Sequence, residues 1–396
     1  MRKIFFYSIS FFFTLIIIEI FLYFFLNFQW NLKTRPLGEE NKLTRYYKSF
    51  HPLFRDLKNL NDDLIVYDKF LPYVLSKGGY LYRDYGKKLG KSIIEVDKFG
   101  YAHNGDKHFN KIFQYKKKRG EKRVVFIGGS TTFGTGASNN KKTYPAQVEY
   151  IIKKNNKQNE IFFLNAGVIG YNSFQEYLYF KHYLKKLEPD IVIFLHGSND
   201  AYISLTQKKF DKNFHDMEIF EKKQKNIFSF PQRLYLLNFL DRLYAVTKLK
   251  FGKIDKTNLR NSYYNKEAAL EMKKNIENIL LLLKENNTKA IFYLQPNLFL
   301  KTNYSDYEKN LLSKSTRSDF KKNTILHYLD FQKVYISLNK KYSDNKKILF
   351  KDISFKFSEA HIDTYKYKSW AHFDDDGYYL LAKIISDDIK KLININ

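Results

Sequence analysis

Short apolar runs alternate with amphipathic stretches from residue 121 to the end of the chain. The runs are rich in β-branched and aromatic residues, as buried parallel strands are. They are Val124–Ile127, Ile161–Asn165, Ile191–Leu195, Ala290–Leu294 and Ile348–Phe350. Because strands that alternate with helices build parallel sheets covered on both faces, the pattern predicts an α/β fold with five parallel strands between two helical layers.

Helical stretches between these runs carry start signals. Thr143 is a candidate N-cap with Pro145 in the first turn, and Ser173–Glu176 matches a capping box. Asn265–Leu283 has apolar residues at helical spacing, which predicts a long helix. A closing helix is predicted after Gly377, where apolar residues again recur at this spacing.

The amino-terminal residues form a separate pattern. Ile4–Leu26 is almost wholly apolar over about 23 residues and follows Arg2 and Lys3. A helix needs about 20 such residues to cross a bilayer, whereas a cleavable signal peptide usually has an apolar region of about 7–15 residues. No small-residue cleavage site follows, so we expect residues 1–33 to be a single-pass membrane anchor, with a cleaved signal as the alternative. We expect the rest of the chain to lie outside the cytoplasm, because long domains are translocated regardless of their charge.

The remaining regions of the chain are defined by the loss and return of periodicity. Residues 34–120 lack it, which predicts an irregular extension packed on the main domain, and residues 121–396 form that main domain. Residues 201–264 interrupt the alternation with a sequence rich in Lys, Phe and Tyr. An insertion of this length predicts a lid or a substrate-binding wall, with plain surface elaboration as the alternative. Residues 301–330 form a second, shorter insertion.

The composition excludes several kinds of chemistry. The chain has 68 Lys and Arg against 41 Asp and Glu, a formal net charge of +27. Because the lysines are dispersed and no basic stripe is interleaved with stacking aromatic residues, we expect no nucleic-acid partner. The sequence contains no cysteine, which excludes disulfides, thiolate metal sites and a cysteine nucleophile. It also contains no metal-ligand cluster or nucleotide-binding loop, so no cofactor is expected.

Polar loops follow three of the predicted strands, and a fourth precedes the last helix. Gly128-Gly129 ends the first strand and presents Ser130, and the glycine-containing segment 165–172 follows the second strand. Asn199 follows the third strand, and His372 precedes the closing helix. Because the carboxyl ends of parallel strands share one edge of a sheet, we expect these residues to lie close together. A Ser, a His and an Asn that converge there are the parts of an acyl-transfer site.

In these loops the sequence resembles the SGNH/GDSL hydrolase family, which is named for Ser, Gly, Asn and His in four blocks. The blocks stand in the family's order at Gly128–Ser130, Gly170, Gly197–Asp200 and His372. Gly129 replaces the Asp of the first block, a variant that the family tolerates. The match covers residues 121–396 and implies a three-layer α/β/α, flavodoxin-like fold with a five-stranded parallel sheet.

The resemblance implies a role for each matched residue. Ser130 would attack an ester carbonyl, and His372 would take the proton of its hydroxyl. The backbone N–H groups of Ser130 and Gly170 and the side-chain amide of Asn199 would hold the oxyanion. These four residues are the predicted catalytic set, and neither a cofactor nor a metal is implied.

One position departs from the family. An Asp usually stands three residues before the His, and this chain has Ser369 there. Such a carboxylate orients the imidazole and stabilises its charged form, and its loss lowers turnover by about 10⁴-fold in serine proteases. Asp363 is a candidate replacement, a backbone carbonyl could orient His372 in a Ser–His dyad, or catalysis could be impaired. Asp374, Asp375 and Asp376 are instead expected to cap the last helix.

These expectations describe a membrane-anchored serine esterase with its catalytic domain outside the cytoplasm. Its predicted substrate is an acyl ester, an O-acetyl or other short acyl group, on an envelope glycan or lipid. Two alternatives remain open at the level of sequence. One is an O-acyltransferase of the same fold that acts on a polysaccharide, and the other is a catalytically impaired module that binds carbohydrate.

Overall fold

The computed structural model describes three parts of the chain. These are residues 7–21 without 8, 9 and 12; residues 64–210 without 67, 69, 86–89, 107–108, 156–160 and 208–209; and residues 262–393 without 316–317, 360–362 and 366–368. The residues described in the first part are helical. Within the three parts, no helix combines the length and the apolar character needed to cross a bilayer. The predicted span Ile4–Leu26 extends beyond the described residues, so the anchor stays a prediction.

Two antiparallel strand pairs precede the main sheet. The strands are β1 (Ile65–Val66), β2 (Val74–Leu75), β3 (Tyr80–Asp84) and β4 (Lys91–Glu95). β1 pairs with β2, and β3 pairs with β4. The second pair is fastened to the main domain because the buried Ser92 donates from Oγ to the carbonyl of Ala137 at 2.5 Å. The described residues within 62–220 and 260–396 form one compact unit, which contains these hairpins and the whole main sheet.

Five parallel strands form the main sheet. They are β5 (Lys122–Gly128), β6 (Ile161–Gly167), β7 (Ile191–His196), β8 (Lys289–Leu294) and β9 (Ile348–Asp352). Their order across the sheet is β6-β5-β7-β8-β9. All residues of the central β7 are buried, which requires cover on both faces of the sheet. The predicted α/β fold with a five-stranded parallel sheet is confirmed.

Helices connect the strands and cover the sheet. They are α1 (Ser130–Phe133), α2 (Tyr144–Asn155), α3 (Ser173–His182), α4 (Ser198–Leu205), α5 (Glu267–Glu285), α6 (Asp306–Ser315), α7 (Ser318–Lys341) and α8 (Asp375–Ile393). α2 packs against α8, whereas α5 packs against α3 and α7. α5 and α8 are amphipathic, and each buries its apolar stripe in the core, as the periodicity predicts.

Two helix starts differ from the sequence prediction. The capping box of α3 uses Asn172, one residue before the predicted Ser173, and its Oδ1 accepts two N–H groups of the first turn. Asn and Ser are equally good caps, so the sequence alone does not choose between them. α8 begins at Asp375, which places Gly377 inside its first turn instead of before the helix. The predicted cap Asp374 is confirmed, because its Oδ1 accepts the N–H of Gly377 at 2.9 Å.

The two predicted insertions have different outcomes. Most of residues 201–264, including all of 211–261, lies outside the described residues, so the lid stays a prediction. Residues 301–330 fold largely as α6 and the first half of α7. A fully buried ion pair, 2.6 Å between Lys301 Nζ and Glu308 Oε2, stabilises this region. Glu308 Oε1 also accepts from the N–H and hydroxyl of Thr364, so the pair holds the chain that leads to the last loop.

The strand register sets the level at which the loops leave the sheet. Gly128 at the end of β5 pairs with Gly167 of β6 on one side and with Leu195 of β7 on the other. Three neighbouring loops therefore begin at one height on the carboxyl edge of the sheet. This edge is where open α/β sheets bind ligands.

Candidate active site

A tight turn between β5 and α1 presents Ser130. Gly129 precedes the helix, and Ser130 is its first residue, so the Ser130 N–H belongs to the first turn and has no acceptor within the helix. Side chains at the two preceding glycines would collide with the protein. A Cβ on Gly128 would lie 2.1 Å from Thr132 Oγ1, and one on Gly129 would lie 2.3 Å from Asn199 Nδ2. A side chain at position 129 would therefore have to displace the Asn199 amide or approach the carbonyl of Tyr171, 2.9 Å from the added Cβ.

The loop after β6 places Gly170 beside this turn. Gly170 has φ +82°, in the left-handed region that favours glycine. The Tyr73 hydroxyl donates to the carbonyl of Ile169 at 2.8 Å and closes over the loop, so a Cβ on Gly170 would lie 2.5 Å from that hydroxyl. The described residues provide no hydrogen-bond acceptor for the Gly170 N–H. Gly170 is not among the residues that line the cavity described below.

Asn199 connects the loops after β6 and β7. It lies in the first turn of α4, and its Nδ2 donates to the carbonyl of Tyr171 at 2.7 Å. This bond uses one of the two amide hydrogens, so the other remains available next to the Ser130 turn. Ser130 and Asn199 line the same cavity. Both residues therefore border the space in which a ligand would bind.

His372 completes a pair with Ser130. Its Nε2 lies 2.7 Å from Ser130 Oγ, within hydrogen-bonding distance. The loop is fixed by the carbonyl of Ala371, which accepts from Thr131 Oγ1 at 3.1 Å and from Gln295 Nε2 at 2.8 Å. Gln295 follows β8, and it also donates to Thr131 Oγ1. Thr131 and Gln295 were not singled out from the sequence, because neither belongs to the four family blocks.

The second ring nitrogen of His372, Nδ1, contacts a hydroxyl group in place of the family's carboxylate. Ser369 Oγ lies 3.0 Å from His372 Nδ1. The same oxygen accepts the backbone N–H of His372 at 2.8 Å and that of Ala371 at 3.2 Å. Asp363, the candidate replacement acid, has an exposed side chain. Ser369 therefore takes the position that the family's Asp occupies.

The bonds of Ser369 determine which nitrogen of His372 carries the proton. A hydroxyl oxygen has two acceptor lone pairs and one hydrogen, and the two backbone N–H groups occupy the lone pairs. The remaining O–H points toward Nδ1, which makes Nδ1 an acceptor and leaves the proton of the neutral ring on Nε2. A general base must instead accept the Ser130 proton at Nε2. Ser369 therefore favours the tautomer that cannot deprotonate Ser130.

A second Ser–His pair in the protein shows the opposite arrangement. His327 Nδ1 lies 2.7 Å from the carbonyl of Asn323, which can only accept, so Nδ1 carries the proton. His327 Nε2 therefore accepts from Ser204 Oγ at 2.7 Å. Both residues are buried away from the cavity, with exposed fractions of 1% and 0%. This pair has the tautomer of a general base but no access to substrate, so its role is structural.

Electrostatics keep His372 neutral. Its pKa is lowered to about 4, first because burial disfavours the charged ring and second because the Arg83 guanidinium repels it. No carboxylate within the described part of the chain counters these effects on His372. The imidazole is therefore uncharged at neutral pH, but the imidazolium that forms during proton transfer is poorly stabilised.

A cavity of about 540 Å³ opens over the Ser130–His372 pair. Its wall is partly aromatic, because Trp370 lines it. The Trp370 ring stacks on Phe299, with ring centroids 5.8 Å apart. The other lining residues are Arg83, Tyr85, Thr131, Ser198, Asn199, Tyr202, Gln295, Ser369 and Ala371. No group of His, Asp and Glu side chains among the described residues could hold a metal ion. The arrangement is suited to nucleophilic chemistry at Ser130.

Comparison with known proteins agrees with this geometry. The model of the GDSL-like lipase/acylhydrolase family matches residues 126–380, which include all four predicted site residues. No curated protein shows significant similarity to the chain.

Several solved structures are similar to the chain at low identity. The acetyl xylan esterase AlAXEase is 13% identical, with 67% of this chain and 99% of that one covered and a TM-score of 0.40. A GDSL-like lipase from Bacteroides thetaiotaomicron is 16% identical over 72% of this chain and 96% of that one, with a TM-score of 0.37. A catalytic mutant of an acetylxylan esterase from Geobacillus stearothermophilus is 14% identical over 69% and 96%, with a TM-score of 0.39. Because these identities are low, the family assignment rests on the family model.

Restoring a carboxylate behind His372 should activate Ser130. We expect Ser369→Asp to raise the second-order rate constant for labelling of Ser130 by a fluorophosphonate by about tenfold or more, because a carboxylate accepts a hydrogen bond from Nδ1–H and leaves Nε2 free to accept the Ser130 proton. The labelling rate of the unaltered protein should rise with pH through about pH 4, where His372 becomes neutral. In Ser369→Asp this rise should move to higher pH, because a neighbouring negative charge raises the pKa of an imidazole.

The matched control is Ser343→Asp, which adds the same charge at an exposed position outside the cavity lining. It should leave both the labelling rate and its pH profile unchanged. An unchanged or slower rate in a correctly folded Ser369→Asp protein would contradict the tautomer assignment.

Proposed function

The chain belongs to the GDSL-like lipase/acylhydrolase family and is an ester-bond hydrolase, and we propose that it is a serine esterase in which Ser130 forms an acyl-enzyme. The observation that carries the proposal is the 2.7 Å contact between Ser130 Oγ and His372 Nε2 at the cavity. In this role His372 is the general base, and Asn199 and Gly170 belong to the oxyanion site. The proposed substrate is an O-acetyl or other short acyl ester on an envelope glycan or lipid.

The proposed reaction uses these groups in two half-reactions. His372 Nε2 takes the Ser130 hydroxyl proton as Oγ attacks the ester carbonyl, and the carbonyl oxygen becomes an oxyanion. The N–H groups of Ser130 and Gly170 and the Asn199 amide donate to that oxygen, each donor contributing about 10²–10³ in turnover. The intermediate collapses, and the departing alcohol takes the proton from His372. Water then attacks the acyl-enzyme by the same steps and releases the acid.

The bonding of Ser369 adds a step before the chemistry. His372 must first shift its proton from Nε2 to Nδ1, and Ser369 Oγ must then accept from Nδ1 in place of one backbone N–H. This rearrangement opposes the reaction, and we propose that the esterase is slow for its family. The same site could transfer the acyl group to a sugar hydroxyl in place of water, which is the O-acyltransferase alternative.

The esterase proposal predicts activity that depends on Ser130. The full chain should hydrolyse p-nitrophenyl acetate and butyrate, Ser130→Ala should abolish this activity, and mass spectrometry should locate a fluorophosphonate label on Ser130 and not on the buried Ser204. Discharge of the acyl group to an added sugar faster than to water would indicate the transferase. Absence of both labelling and hydrolysis, or full hydrolysis by Ser130→Ala, would contradict the proposal.

We also propose that the protein is anchored in the cell membrane by a single helix within residues 1–33, with its catalytic domain outside the cytoplasm. The support is the apolar segment Ile4–Leu26, whose length is sufficient to span a bilayer, and the basic residues before it. The chain should remain in the membrane fraction after a carbonate wash, and deletion of residues 1–33 should release it. Recovery of the undeleted chain in the soluble fraction would contradict the anchor.

A further inference from the structure

Arg83 reaches the active-site cavity from outside the four family blocks. It lies on β3, where it shares a face of the strand with the buried Leu81, and it lines the cavity together with Ser130 and His372. Its strand position is fixed, because Arg83 pairs in register with Ser92, whose side chain is bonded to the main domain. The amino-terminal hairpin therefore contributes a cation to a site that the main sheet builds.

The cavity has an uneven charge distribution. Arg83 is the permanently charged residue among those that line it, and no Asp or Glu is present in that lining. Across the described residues, no carboxylate forms an ion pair with Arg83. Its guanidinium is bonded to the hydroxyl of Tyr85, where burial raises the tyrosine pKa and Arg83 opposes the rise. Tyr85 thus helps to hold the guanidinium without neutralising it.

An unneutralised cation here works against the proposed chemistry. His372 must become positively charged as it takes the Ser130 proton, and the charge of Arg83 disfavours that form. An anion bound at Arg83 would cancel this repulsion and stabilise the imidazolium. A substrate that brings a negative charge would therefore be bound more tightly and also processed faster than its neutral counterpart.

The aromatic wall indicates the rest of the ligand. Trp370 is held by stacking on Phe299 and by an edge contact with Phe320 at 5.7 Å, and the exposed Tyr202 lies 6.3 Å from it between ring centroids. Such fixed aromatic faces beside polar groups are suited to the apolar face of a sugar ring. A guanidinium matches the planar geometry of a carboxylate.

We propose that the site acts on acyl esters of acidic sugars, with Arg83 binding the sugar carboxylate and the Trp370 wall contacting the ring. This inference rests on the proposed esterase function and deepens it. Arg83 is then the residue that determines specificity for an anionic alcohol component. The bond broken is the acyl ester already described, so the proposal requires no additional reactant.

The test uses two sugars that differ in one group. Methyl glucuronoside and methyl glucoside, each acetylated at the same ring hydroxyl, present the same ester with and without a carboxylate. We expect the full chain to show kcat/KM at least about tenfold higher for the acidic ester, and Arg83→Gln to remove most of this preference. Arg83→Lys should retain part of the preference, because lysine keeps the positive charge but lacks the planar guanidinium that binds a carboxylate through two N–H groups. Arg119→Gln, at an exposed turn outside the cavity, is the matched control and should leave the ratio unchanged.

A binding measurement separates this inference from the esterase proposal. In Ser130→Ala protein, calorimetry should show tighter binding of unacetylated methyl glucuronoside than of methyl glucoside, and the added Arg83→Gln change should equalise them. This readout does not require turnover. Equal binding of the two sugars with Arg83 present, or a preference that survives Arg83→Gln, would overturn the inference while leaving the esterase intact. Tighter binding of methyl glucoside 6-phosphate than of the glucuronoside would also overturn the assignment to a carboxylate.

Discussion

The chemistry available to this protein depends on the proton of one imidazole. Ser130, His372 and Ser369 form a chain of two hydrogen bonds, 2.7 Å and 3.0 Å long, with the ring in the middle. A carboxylate at the far end would only accept, and would therefore fix the proton on Nδ1. A hydroxyl that already accepts two backbone N–H groups donates instead. A single Ser in place of Asp thus reverses which groups donate and which accept in these two hydrogen bonds. The ring keeps its place beside Ser130.

The rest of the fold holds these three hydrogen-bonded residues in position. The carbonyl of Ala371 is held by Thr131 and Gln295, so the loop that carries the histidine is tied directly to the turn that carries the nucleophile. Asn199 packs closely against Gly129 of the same turn, and its Nδ2 donates to the carbonyl of Tyr171 in the loop after β6. Because these contacts do not involve Ser369, the geometry of a serine hydrolase is preserved while its proton transfer is made harder. The buried Ser204–His327 pair contains the other tautomer, with the proton on Nδ1. Substrate has no access to that pair.

The sequence was sufficient for the sheet and for the contents of the four loops. Five β-branched and aromatic runs predicted five parallel strands. Because the carboxyl ends of such strands share an edge, the sequence also predicted that Ser130, Asn199 and His372 lie close together. The residues that sequence reasoning missed lie outside the four blocks. Arg83 belongs to a hairpin with no long periodicity, and Gln295 follows a strand whose loop has no motif. The departure at Ser369 was visible in the sequence, but its effect depends on how many hydrogen-bond partners the hydroxyl already has, which the sequence does not show.

The most direct measurement of the central claim is the protonation state of the His372 ring in the free protein at neutral pH. Nitrogen-15 NMR distinguishes a protonated from an unprotonated ring nitrogen, and comparison with His372→Gln assigns the signals among the 9 histidines of the chain. The account predicts a neutral ring with the proton on Nε2 and a bare Nδ1 that accepts from Ser369. A neutral ring with the proton on Nδ1 would contradict it, and would show that this serine supports the general base as a carboxylate does.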